Sequence, residues 1–163
     1  MSYKVFISAA QEDRDIVQDL GRRLRNAGDG VRLLEPEHAV GEDFSKAILK
    51  SIEEADEVIP LVTRESLTSR WLFLEMGAAL SQHKRVTPVV LGLEPEELPP
   101  MVREIRYVKY SDVGAYLPQI AKRALSKAEA RSKEARARRV ERGAYGGAMQ
   151  KAPAAGKPKR MAS

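Results

Sequence analysis

Glu75 stands in the stretch Trp-Leu-Phe-Leu-Glu-Met-Gly-Ala-Ala-Leu, residues 71–80, as its only charged side chain. A carboxylate surrounded by apolar groups is costly unless it has a partner or a task. Ser69 is suited to cap a helix start, which puts Trp71 in the first turn and Glu75 in the second. Side chains four apart on a helix lie one above the other on the same face. An acid and an aromatic ring therefore share a surface. Two fates are open to each. Glu75 either pairs with Arg70, Lys84 or Arg85, or acts on a ligand. Trp71 either packs in the core or walls a binding site.

The elements that must position this pair alternate between strand and helix signals. Tyr3–Ser8, Val31–Leu34, Glu57–Val62, residues 86–91 and residues 105–110 are short β-rich runs, with Pro88 arguing for a bulge or an edge in the fourth. Ile16, Val17, Leu20, Leu24 and Ala27 recur at helical spacing before Gly28. Phe44, Ile48, Leu49 and Ile52 mark a second helix ending near Ala55, the Trp71–Glu75 stretch forms a third, and a last one runs from about Asp112 through Leu125. Residues 9–13, 35–43, 63–69 and 92–100 are expected as loops. Such alternation implies a parallel sheet with right-handed crossovers and helices on both faces. Ligands of open α/β sheets gather beyond the carboxyl ends of the strands. The first three loops arrive there, and the third delivers Trp71 and Glu75.

Composition removes whole classes of chemistry. The 163 residues contain no cysteine, so disulfides and thiolate metal sites are excluded, and two histidines, His38 and His83, make no histidine-rich metal cluster. No apolar run approaches a membrane span, and the strand pattern starts at once, without room for a signal peptide; a cytoplasmic protein is expected. The net charge of +5 is unevenly spread. Residues 126–163 hold 11 Lys and Arg against 3 Glu, a net of +8, leaving 17 basic and 20 acidic residues, a net of −3, in residues 1–125. The chain is therefore expected to hold one domain over residues 1–125 and a basic tail over 126–163, helical to about Arg142 and disordered beyond. Contact with nucleic acid or an anionic surface is expected only through that tail.

Familiar phosphate-binding and catalytic motifs are missing. No G-x-G-x-x-G follows the first strand, and neither a G-x-x-x-x-G-K-[ST] loop nor a G-x-S-x-G elbow occurs. The first and third strand ends, Ser8-Ala9-Ala10 and Leu61-Val62-Thr63, lack the acids a magnesium-dependent receiver domain needs.

Four patterns in fixed order carry a resemblance. Val5-Phe6-Ile7-Ser8 with acids just after, Gly41-Glu42-Asp43-Phe44, Ala55-Asp56-Glu57-Val58-Ile59 and Trp71-x-x-x-Glu75 together resemble a TIR (Toll/interleukin-1 receptor) domain of the bacterial type, over roughly residues 3–125. The resemblance implies a flavodoxin-like α/β fold with a five-stranded parallel sheet of order 2-1-3-4-5. It also implies Glu75 as the catalytic residue of an NAD⁺ glycohydrolase or cyclase, acting in signalling or antiviral defence. NAD⁺ would be the substrate, met by Ser8, Ala9, Ala10, Gln11, Ala39, Gly41 and Trp71, with no metal or separate cofactor. Self-association would run through the loop at residues 35–44, with a separate sensor or effector protein as a further partner. Where the family often has an aromatic and then basic residues, this chain has Ala9-Ala10-Gln11; where an acid is frequent, it has Ala39. A non-catalytic TIR–TIR adaptor and a nucleoside deoxyribosyltransferase-like enzyme are the alternative readings.

Overall fold

In the computed structural model, residues 2–35 and 44–146 are described. Their order is β1 (Tyr3–Ser8), α1 (Arg14–Asn26), β2 (Val31–Leu34), α2 (Phe44–Glu54), β3 (Glu57–Val62), α3 (Arg64–Thr68), α4 (Arg70–Ser81), β4 (Arg85–Val86), β5 (Val89–Val90), α5 (Pro100–Glu104), β6 (Val108–Lys109) and α6 (Val113–Gly146). Every strand pair is parallel, and the sheet runs β2-β1-β3-β5-β6 with β4 also beside β3. This is the expected flavodoxin-like α/β sheet.

Two details depart from the expected elements. The fourth strand is interrupted at Thr87–Pro88 into β4 and β5, and Pro88 turns its backbone toward β6, its carbonyl accepting from Val108 N at 2.8 Å. The backbone still follows β3 through the break, since Thr87 N donates to Val58 O at 3.0 Å and Leu91 N to Val62 O at 3.0 Å. The expected loop at residues 63–69 folds into α3, held by a reciprocal cap: Thr63 accepts from Ser66 N, and the Ser66 hydroxyl accepts from Thr63 N. The last helix, expected from about Asp112 through Leu125 with a helical extension to about Arg142, spans Val113–Gly146.

Side chains of the central strands alternate between two cores. Phe6, Val58, Val62 and Val90 pack with Ile48 and Ile52 of α2 and Leu72, Met76 and Ala79 of α4. On the opposite face Tyr3, Val5, Ile7, Ile59, Leu61 and Val89 pack with Leu20 and Leu24 of α1 and Val113, Tyr116 and Ile120 of α6. At the amino end of β3, fully buried Glu57 accepts from Tyr3 Oη (2.9 Å), Thr87 Oγ1 (2.7 Å), Arg123 Nη1 (3.0 Å) and Tyr116 Oη.

The chain divides into two compact units, Met1–Ala128 and Glu129–Ser163. In the second, the side chains of residues 129–142 are exposed, and Arg138 pairs with Glu134 at 2.8 Å. Among the described residues no helix is long and apolar enough to cross a membrane.

Candidate active site

Alternation along β1 decides where Ser8 points. Phe6 enters the core beneath α2 and α4, and Ser8, two residues on, faces the same side at the carboxyl end of the strand. Above it, α4 buries Leu72, Met76 and Ala79, and Glu75 lies at the flank of that stripe with only 7% of its surface exposed. Ser69 caps α4 by accepting from Trp71 N at 3.3 Å, so the register of this helix is set one turn before the acid.

The Ser8 hydroxyl donates to Glu75 Oε2, and no other hydrogen bond or ion pair reaches the Glu75 carboxylate among the described residues. The ion-pair alternative fails. Lys84 instead caps the end of α2, donating to Glu53 O at 2.5 Å and Ala55 O at 3.0 Å. Arg70 and Arg85 are exposed and form no ion pair with Glu75. Burial alone raises its pKa from the ordinary 4.5 to about 7. Trp71 is 46% exposed, so the core alternative fails for it as well.

A cavity of about 770 Å³ opens beyond the end of β1. Ser8, Ala9, Ala10, Gln11, Trp71 and Glu75 all line it, which brings together six of the eight positions expected at the site. Ala39 and Gly41 lie outside the described residues. The wall also includes side chains that no motif singled out. Arg14, Val17 and Gln18 come from one face of α1, Glu65 and Thr68 from α3, and Ile48 from α2. The spacing 14, 17, 18 is the signal that could have found the first group, since residues three and four apart share a helix face. Glu65 and Thr68 were not legible, because the sequence shows no helix there.

The rim is tied together across the sheet. Thr63, at the carboxyl end of β3, donates at 2.6 Å to Asp13, which sits buried in the turn between β1 and α1. Burial raises the Asp13 carboxyl above its ordinary range, and the Thr63 hydrogen bond opposes that rise. Asp13 therefore anchors the backbone on which Gln11 and Glu12 enter the cavity. Among the described residues no group of three His, Asp or Glu could hold a metal ion.

The family model for the TIR domain matches residues 5–124. The chain belongs to the TIR domain family. This TIR chain is 32% identical over 101 residues to the 2′ cyclic ADP-D-ribose synthase BtTIR of Bacteroides thetaiotaomicron, an overlap of 59% of this chain and 35% of that protein. It thus spans about a third of the length of that relative. Among solved structures, the TIR domain of the Toll-related receptor TRR-2 from Hydra magnipapillata is similar at a TM-score of 0.59 and 22% identity, covering 78% of this chain and 98% of that one. The CMP N-glycosidase BcmB of Clostridium botulinum is similar at a TM-score of 0.52 and 19% identity, covering 72% and 97%. The two structural likenesses concern the fold.

Proposed function

We propose that this TIR domain cleaves the nicotinamide–ribose bond of NAD⁺, with Glu75 as the catalytic residue. One observation carries the reading. Glu75 is a buried carboxylate held by a single hydroxyl, unpaired with any cation among the described residues, and facing an open cavity. An acid kept for structure is saturated with donors, as Glu57 is. The likeness to a Bacteroides protein named as a cyclic ADP-ribose synthase supports the proposed activity.

Nicotinamide in NAD⁺ is already a cationic leaving group and needs no proton to depart, so the two carboxylates of an ordinary glycosidase reduce to one. The C1′–N bond breaks and its electron pair neutralises the pyridinium ring. Positive charge then develops on the ribose, where the Glu75 carboxylate stabilises it electrostatically or by transient covalent capture. Water adds to C1′ and loses a proton to give ADP-ribose; an internal nucleophile of the same molecule closes a cyclic product instead. With a pKa about 7, Glu75 is also poised to take that proton. Ser8 holds Oε2 and leaves Oε1 without a hydrogen-bond partner among the described residues. Trp71 offers a flat apolar wall for a ring. Self-association through residues 35–44 is part of the proposal, as is the dependence of turnover on assembly.

The test is incubation of the protein with NAD⁺ over a range of protein concentrations, with separation of free nicotinamide. Release is expected, with a rate per molecule that climbs with concentration. Glu75→Gln is expected to lower it by about 100-fold or more. An unchanged rate in Glu75→Gln overturns the assignment. No release at any concentration favours the adaptor reading, and exchange of bases between nucleosides favours the deoxyribosyltransferase-like one.

A further inference from the structure

The segment after β1 that meets the cavity reads Ala9-Ala10-Gln11 and brings no charge. Three acids line the same cavity, Glu12, Glu65 and Glu75, and among the described residues Arg14 is its one cation. Without Arg14 the described part of the wall would present only negative charge to an anionic ligand and repel it. Arg14 is the first residue of α1, exposed, and makes no ion pair or hydrogen bond among the described residues. Among the described residues its guanidinium is therefore uncommitted. Gln18, one turn further along the same face, adds an amide donor beside it.

We infer that Arg14 recognises the diphosphate of a dinucleotide substrate and makes the site selective for diphosphate-bearing ligands over neutral nucleosides. This rests on the reading of the cavity as a nucleotide site. A guanidinium presents paired N–H donors in a planar fork that matches two phosphate oxygens, which an ammonium matches only as a point charge. Its position in α1 separates it from Glu75 in α4. The charged middle of the substrate is then held by one wall while the scissile bond meets the other. Placement of the cation on the first helix, instead of on the loop before it, offsets the uncharged Ala9-Ala10-Gln11 segment.

Calorimetric titration with ADP-ribose and, separately, with adenosine tests this without needing turnover. The proteins are wild type, Arg14→Gln, Arg14→Lys and Arg14→Glu. Because Arg14 is exposed and unbonded among the described residues, thermal unfolding of the variants is expected to match wild type and serves as the folding control. ADP-ribose binding is expected to weaken about tenfold in Arg14→Gln, to be partly restored in Arg14→Lys and to be lost in Arg14→Glu. Adenosine affinity is expected to be equal in all four. Unchanged ADP-ribose affinity in Arg14→Gln, an equal loss for adenosine, or no ADP-ribose binding by wild type overturns the inference. NAD⁺ turnover separates the two claims. Cleavage that is indifferent to Arg14 leaves the proposed function standing without this inference; Arg14-dependent ADP-ribose binding without cleavage does the reverse. Where cleavage occurs, the loss in Arg14→Gln is expected in KM and not in kcat.

Discussion

Two buried glutamates of the TIR body have opposite surroundings. Glu57 is met by two tyrosines, a threonine and Arg123, so its charge is compensated. The same burial and contact raise the Tyr116 hydroxyl to about 12. Glu75 has one serine hydroxyl, and burial drives its pKa up to about 7. In the unfolded chain the group titrates near 4.5. Between those values the folded protein holds a proton that the unfolded chain has released, so stability falls as pH rises from about 4.5 to 7 and the loss is complete above 7. The upper bound of that loss is on the order of 3 kcal/mol. Glu75→Gln removes the titration. It is expected to unfold at a higher temperature than wild type at pH 8, with the difference vanishing near pH 4, as read by thermal denaturation. Activity is expected to run the other way: wild-type kcat/KM for NAD⁺ should rise with pH to a plateau above about 7, because only the ionised carboxylate stabilises a ribosyl cation. Opposite slopes for stability and activity would tie both to one carboxyl.

At the scale of elements, α4 was legible and α3 was not. The apolar run around Glu75, with Ser69 before it, carries a strong local helix signal, and the helix found is Arg70–Ser81. Arg64–Thr68 is too short to show a period and depends on the Thr63–Ser66 cap. The same Thr63 holds Asp13, so one threonine supports two walls of the cavity. Thr63→Val is expected to destabilise the protein by about 1–3 kcal/mol in chemical denaturation, since a buried carboxyl loses its donor and α3 loses its cap. The hydrogen bond favours the ionised form of Asp13, so the loss should be larger at pH 7 than at pH 4. The fourth strand's position was readable, and the interruption between β4 and β5 falls at Pro88, where a break was expected.

On the scale of the whole molecule, the Glu57 cluster joins β1, β3 and α6 at the end of β3 remote from Thr63, reinforced by Lys127 on Asp56 at 2.5 Å. Glu57→Ala would leave Arg123 and three hydroxyls without their shared acceptor. A loss of about 3–5 kcal/mol is expected in denaturant unfolding, a large part of the stability of a domain this size. The sequence by itself determined the alternation of strands and helices, the parallel sheet and the TIR family, because apolar periodicity and motif order are local properties of a chain. It also marked Glu75 as an isolated acid. Only the tertiary structure decided which acid is saturated with donors and which lines an open cavity. Partners such as Ser8 and Glu75 are 67 positions apart, and no local pattern records which side chains the sheet brings face to face. For the same reason the one cation of the cavity among the described residues came to light as Arg14, on the face of a neighbouring helix, and not in the loop where the family often carries basic residues.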